Sequence, residues 1–186
     1  MTIVAQARAL TGETQAEFAA RVGTSRTRLS AYENGRTLPE LDTLERIASA
    51  ADAELALVPR GTDRVRRQFA ALSDAIAGHD PPWALRLVAE LVGWVRDDVV
   101  SVRCLEQDPG LSGDRRWDAL VGGVAEMVSS ERGVPVPGWA SGPGRIVDGA
   151  WFFSSLESLR PHILVSTPPA LAARGVLISA EAFTSV

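Results

Sequence analysis

Apolar positions recur at helical spacing from the start of the chain. Ile3, Val4, Ala7 and Leu10 predict a short first helix, and Gly12 supplies its stop. Thr14-Gln15-Ala16-Glu17 has the form of a capping box, in which the Thr14 hydroxyl takes a backbone N–H and Glu17 reaches back. A second helix therefore begins there, with Phe18, Ala19 and Val22 as its buried stripe. Gly23 falls where a left-handed residue lets the chain turn sharply without a Cβ clash. Thr24 or Ser25 can cap a third helix running to about Asn34. Leu29 and Tyr32 share its inward face, and Arg26, Thr27, Arg28, Ser30 and Ala31 occupy the others. Asn34-Gly35 ends it, Pro39 can open a fourth helix, and Leu41, Leu44, Ile47 and Ala48 form that helix's core face. Ala53 to Val58 is short and apolar, and reads as a strand or as an extended exit segment.

Pro59-Arg60-Gly61-Thr62 is a turn-prone break and sets the expected boundary. The pattern predicts a first domain over 1–60, a connector helix over 61–79 and a second, mostly helical domain over 80–186. The connector, from about Asp63 to Ala77, carries Val65, Phe69, Leu72 and Ile76. Asp80 is placed to cap a helix from Trp83 to about Val95 that is apolar nearly all round, as in helices buried on more than one side. Past Asp97-Asp98, Val99, Val102 and Leu105 continue the helical spacing until Pro109-Gly110 breaks it. Gly113-Asp114 opens an amphipathic helix with Trp117, Leu120, Val121, Val124, Met127 and Val128. Gly133 to Gly149, rich in Gly and Pro, reads as a structured loop anchored by the Trp139 indole. The remainder, from Trp151, predicts short helices and at most one small strand pair. The expected fold is mainly α: a bundle of four to five helices, then the second helical domain.

Composition narrows the classes. The chain has 186 residues and 46% hydrophobic content, ample for a buried core. No apolar run approaches the roughly 18–20 residues of a membrane span, and the N-terminus lacks a basic-then-apolar leader, so a cytoplasmic protein without membrane contact is expected. The single cysteine, Cys104, excludes an intrachain disulfide and a multi-cysteine zinc site, and beside Val102 and Leu105 it reads as a buried, inert thiol. All 19 basic residues are arginine, and the formal net charge is -4, which argues against non-specific coating of nucleic acid. His79, His162 and Asp97-Asp98 form no catalytic constellation. Gly142-Pro143-Gly144 lacks the strand and third glycine of a dinucleotide loop. No enzyme activity, cofactor or metal is expected.

Gln15 to Pro39 carries the functional signal. Gln15-x-Glu17-Phe18-Ala19, Val22-Gly23 at the turn and Tyr32-Glu33-Asn34-Gly35-Arg36 resemble the Cro/CI-like (Xre-type) helix-turn-helix family of lambdoid repressors over roughly residues 3–58. The resemblance implies a third helix lying in the major groove of double-stranded DNA. On that analogy Arg26, Thr27 and Arg28 face base edges, with Ser30 and Ala31 near the same surface. Arginine can hold guanine O6 and N7 with two parallel hydrogen bonds, which favours Arg26 or Arg28 for sequence readout. Gln15, Thr24, Ser25, Asn34, Arg36 and nearby backbone amides hold phosphates. Ala31 stands where family members place a longer polar residue, so fewer base contacts are expected. The first 60 residues carry seven arginines (8, 21, 26, 28, 36, 46 and 60) against eight acidic residues, so one head binds modestly. A homodimer on a two-fold operator compensates, with the second domain as the expected place of contact.

The second half offers partners rather than chemistry. Arg116-Trp117-Asp118-Ala119-Leu120, Val134 to Trp139, Trp151-Phe152, Leu159-Arg160, Thr167-Pro168 and Arg174-Gly175-Val176 resemble actinobacterial helix-turn-helix antitoxins that act beside nucleotidyltransferase-like toxins. That resemblance implies an autoregulated repressor whose second domain binds a cognate toxin protein. Tryptophans in Gly/Pro-rich or helix-start settings also suit interfaces in general. The alternatives are a repressor in which Trp139, Trp151 and Phe152 line a pocket for a small effector, and a pure dimerisation module.

Overall fold

A computed structural model describes residues 1–184, which divide into two compact units, Met1–Leu57 and a second from Val58 onward. The first unit has four helices: α1 (Ile3–Thr11), α2 (Gln15–Val22), α3 (Arg26–Glu33) and α4 (Leu41–Ala50). Side chains at the helix starts explain why they begin where they do. Thr2, Thr14 and Ser25 accept from Ala5, Glu17 and Arg28 backbone N–H groups, satisfying donors that a first turn leaves open. Val4, Ala7, Phe18, Ala19, Val22, Leu29, Tyr32, Ile47 and Ala51 make one core.

Three details differ from the periodic pattern. Ile3 and Leu10 are exposed, so α1 buries only Val4 and Ala7. Leu41 is exposed too, because α4 starts at that residue, with Glu40 rather than Pro39 at its N-cap, and turns Ile47 and Ala48 inward instead. Ala53 to Val58 is neither helix nor strand.

The second unit contains α5 (Thr62–Ala77), α6 (Pro81–Arg96), α7 (Arg115–Glu131), α8 (Arg160–Ser166) and α9 (Pro169–Ala172). Two short parallel strands, β1 (Trp151–Phe152) and β2 (Val176–Leu177), pair Trp151 with Val176 and Phe152 with Leu177. The fold is thus mainly α with one strand pair, as the pattern predicts. α6, capped by Asp80 Oδ1 accepting from Trp83 N at 3.1 Å, buries residues on most of its surface between α5 and α7.

α7 is more enclosed than an amphipathic helix. Besides its apolar stripe it buries Asp118, Gly122, Gly123 and Ser129, because α6, α9, β2 and the Gly138–Ser141 turn all pack on it. Nor does the helical spacing of Val99, Val102 and Leu105 give one helix. α6 ends at Arg96, Asp98 adopts φ 55°, and only a 3-10 turn, Val102–Glu106, follows. Val99 N reaches back to Trp94 O at 2.9 Å to close the helix end, and the Arg132 guanidinium donates to the Val95 and Arg96 carbonyls there. Val100 is thereby buried while Val99 is exposed.

Buried arginines pin the Gly/Pro-rich loop over 133–149. Arg174 pairs with Glu126 at 2.6 Å and donates to the Ala140 carbonyl, and Arg145 donates to Asp108 at 3.0 Å and to the Gly110 carbonyl at 2.7 Å. Their burial is supported because all three Arg174 side-chain nitrogens and both Arg145 Nη groups find acceptors.

Candidate nucleic-acid interface

Local sequence builds the turn that aims α3. Glu17 accepts from Thr14 N at 3.0 Å and from Thr14 Oγ1 at 2.7 Å, closing the capping box. These bonds hold the Glu17 carboxyl below its ordinary range. Gly23, at φ +76°, donates its N–H to the Ala20 carbonyl, and Thr24 N reaches Ala19 O at 2.9 Å. A Cβ at residue 23 would meet nothing in space; its φ is what requires glycine. Ser25 Oγ then accepts from Arg28 N at 3.2 Å and starts α3.

Leu29 and Tyr32 bury one side of α3 and so decide which side faces out. Arg26 and Thr27 are exposed at its N-terminal end, with no ion pair or side-chain hydrogen bond among the described residues. Arg28 leans back: its Nε donates to Tyr32 Oη at 2.8 Å, with the guanidinium carbon 6.0 Å from the ring centroid. Its two Nη groups keep no partner among the described residues. Ser30 and Ala31 are half-buried, and Asn34 Nδ2 donates to the Ser30 carbonyl at 2.8 Å and to its hydroxyl at 3.3 Å. Arg36 is exposed past the helix end, its backbone N bonded to Ala31 O at 2.9 Å.

One residue organises this surface without having stood out in the sequence. The Glu33 side chain, 7% exposed, accepts from Arg8 Nε at 2.6 Å and from Gln15 Nε2 at 2.6 Å. Arg8 also donates to the Glu13 carbonyl at 2.9 Å, and Thr2 Oγ1 donates to the Glu33 carbonyl at 3.1 Å. α1, α2 and α3 are tied together at this point. Burial pushes the Glu33 carboxyl up, but hydrogen bonds from Arg8 and Gln15 and the Arg8 charge outweigh it, and the carboxyl is held below its ordinary range. The hydrogen bond to Glu33 raises the Arg8 guanidinium in turn. Gln15 therefore sits at the start of α2 with one amide N–H engaged. Glu33 belongs to the Tyr32-Glu33-Asn34-Gly35-Arg36 run that carries the resemblance, but its partners lie too far away in sequence for any spacing rule.

Charge is distributed unevenly over the first unit. Arg8 is paired with Glu33, and Arg21 with Glu13 at 3.0 Å. Arg26, Arg28 and Arg36 lack ion-pair partners among the described residues, and all three lie on α3 or its exit. Residues 40–57 carry Glu40, Asp42, Glu45, Asp52 and Glu54 with Arg46 as the one cation. An anion is thus attracted to the α3 side.

In the second unit, Trp151 and Phe152 are neighbours on β1. Trp151 makes edge contacts with Trp117 at 5.9 Å and Phe153 at 5.7 Å between centroids, and Arg160 lies 5.1 Å from the Phe152 ring. The Trp139 indole donates to the Leu105 carbonyl at 2.7 Å, with the Arg145 guanidinium carbon 4.8 Å from its ring. A cavity of about 260 Å³ is bounded by Leu85, Phe153, Ile163 and Ile178, with His162 and Glu181 at its polar side. Among the described residues no cluster of His, Cys, Asp or Glu could hold a metal, and no helix is long and apolar enough to cross a membrane.

The family model described as Helix-turn-helix matches residues 4–57, under a third of the chain. No curated protein and no solved structure matches. The first unit is a helix-turn-helix domain, the DNA-binding module of transcriptional regulators.

Proposed function

We propose that this DNA-binding regulator is a sequence-specific repressor, which places α3 in the major groove of a two-fold operator as a homodimer. The observation that carries the reading is the state of its arginines. Arg8 and Arg21 are engaged by Glu33 and Glu13, whereas Arg26 and the two Nη groups of Arg28 stand open on the exposed side of α3. A groove about 12 Å wide admits that helix, and a guanidinium can bond guanine O6 and N7 together. Arg26, Thr27 and Arg28, with Ser30 and Ala31 beside them, are the base-facing set. Gln15, Thr24, Ser25, Asn34 and Arg36 position the phosphates. An electrophoretic mobility shift with DNA from the chain's own upstream region tests this. The Arg26→Ala, Arg28→Ala double variant should lose the shifted band, and undiminished binding would sink the assignment.

The second unit, in this reading, binds a toxin protein and makes the chain an autoregulating antitoxin. Support comes from the resemblance in the second half and from exposed Leu156, Leu159, Leu164 and Val165, apolar side chains in a short stretch following Phe152. Trp139, Trp151 and Phe152 are proposed anchors. The cavity beside Phe153 favours a second reading, release of DNA by a small effector. Co-purification of a neighbouring gene's product from the native host supports the first. Release of DNA on adding a metabolite, with no protein retained, supports the second.

A further inference from the structure

Phe153 and Ile178 leave the strand pair at the same end. Phe153 N donates to the Leu177 carbonyl at 3.0 Å, which continues the ladder past β1. With Leu85 of α6 and Ile163 of α8 they form the apolar wall of the cavity of about 260 Å³. Phe153 is also the third ring of an aromatic group, with centroids 5.8 Å from Trp117 and 5.7 Å from Trp151. Four separate elements thus meet around this space, next to two tryptophans.

The polar side of the cavity has a sign. It carries Ser154, Ser179, His162 and Glu181. Ser179 Oγ accepts from Glu181 N at 3.3 Å and Ser154 Oγ from Leu156 N at 3.2 Å, so each hydroxyl oxygen keeps a second lone pair. Imidazole titrates near neutrality and is no lasting cation. The Glu181 carboxylate, 3.6 Å from His162 Nε2, is therefore the one fixed charge of the lining. Among the described residues no arginine lines the cavity: Arg96 is engaged by Glu131 and the Phe183 carbonyl, and Arg160 by Glu157.

We propose that this cavity holds a small primary amine on an apolar body, with the ammonium toward Glu181 and the body against Phe153, Ile163 and Ile178. At about 260 Å³ it has space for roughly nine water-sized groups of ~30 Å³ each, which suits one aromatic ring with a short arm. An ammonium brings three N–H donors and no acceptor, and the carboxylate and the two hydroxyl oxygens can accept from it. A carboxylate ligand of the same size meets the wrong sign, because Glu181 repels it and no cation in the lining offsets that. A neutral alcohol finds the apolar wall but no charge. The Glu181 side chain is 75% exposed, so water screens the pairing and the preference for the amine is about three- to tenfold. Such a ligand is the small effector of the second reading, on which this inference rests.

Calorimetric titration of the full chain with 2-phenylethylamine, 2-phenylethanol and phenylacetate tests it. These share a ring and differ in charge. The amine should bind about three- to tenfold tighter than the alcohol, with phenylacetate weakest. It should also change the tryptophan emission, because a ring seated on Phe153 alters the surroundings of Trp117 and Trp151. Glu181→Gln, at an exposed position, should bring the amine to the affinity of the alcohol and leave the alcohol unchanged. Ala182→Leu, which enlarges a side chain of the cavity wall, should abolish binding of all three; if it misfolds by circular dichroism, Glu181→Gln still decides. Equal affinity for the three ligands, an amine preference that survives Glu181→Gln, or no heat and no emission change up to about 10 mM amine overturns the proposal. A mobility shift on operator DNA tests the underlying reading separately. Amine that binds but leaves the shifted band in place keeps the amine site and removes the effector reading. Release of DNA by an anionic metabolite, with no amine bound, overturns the amine site and leaves the effector reading standing.

Discussion

Replacing Glu33 by glutamine removes the charge on which Arg8 and Gln15 converge while keeping an acceptor oxygen in place. Hydrogen bonds to charged groups contribute about 1.5–3 kcal/mol, and the Arg8 side chain is 29% exposed, so a loss of about 1–2 kcal/mol is expected at neutral pH. The sign of the pH effect follows from the direction of the shift. Folded Glu33 titrates below its unfolded value of 4.5, so its contribution is complete above that pH and is lost as pH falls through the lower folded value. Urea midpoints at pH 7, 5 and 3 should converge for the parent and Glu33→Gln; parallel lines would assign the acid sensitivity to another group. At the DNA surface, Arg26→Ala should weaken binding to the footprinted operator by about 10–100-fold, or roughly 1–3 kcal/mol, and relax the requirement at one base pair. Arg36→Ala should instead weaken binding to all sequences alike. Competition with single-base-pair variants of the operator separates the two behaviours.

Elements that begin and end on their own local chemistry were the ones the sequence made legible. Thr14, Glu17 and Gly23 lie within ten residues of one another, and each acts on a backbone group at most a few positions away. Thr14→Ala should therefore cost about 0.5–2 kcal/mol in the thermal unfolding of the full chain, as the loss of an N-cap does. Elements decided by distant partners were not legible. The segment after α6 has helical spacing, yet the chain turns at left-handed Asp98, and the Val95 and Arg96 carbonyls at that end are met by Arg132, more than thirty residues on. The α7 pattern shows one apolar stripe, but its other side is enclosed through glycines that allow close approach. A Cβ on Gly123 would stand 2.5 Å from Leu171 Cδ2, so Gly123→Ala should destabilise the second unit by about 1–3 kcal/mol and leave the Glu33 acid transition unchanged. The candidate site divides the same way. Arg26 and Arg28 follow from the position of Leu29 and Tyr32 on one short helix, whereas Glu33 draws its partners from α1 and α2, which no periodicity connects.

For the molecule as a whole, a net charge of -4 and a DNA-binding head are compatible only if the positive charge is local. It is: Arg26, Arg28 and Arg36 lie on α3 or its exit, and the carboxylates of residues 40–57 lie on α4 and its flanks. Such a head is oriented as it approaches DNA, but it displaces few counterions. With one or two arginines neutralising phosphates per head, and two heads per operator, log Kobs should fall against log salt with a slope of about -2 to -4. A reader making six to ten phosphate contacts would show about -5 to -9 on the same relation. Filter binding to the operator between 50 and 200 mM salt, roughly the range over which that relation holds, measures the slope directly. A value steeper than about -6 would mean that exposed arginines of the second unit, such as Arg67 and Arg103, also reach phosphates, and modest affinity per head would then no longer be the reason for pairing. A slope inside the range leaves pairing as the main source of affinity.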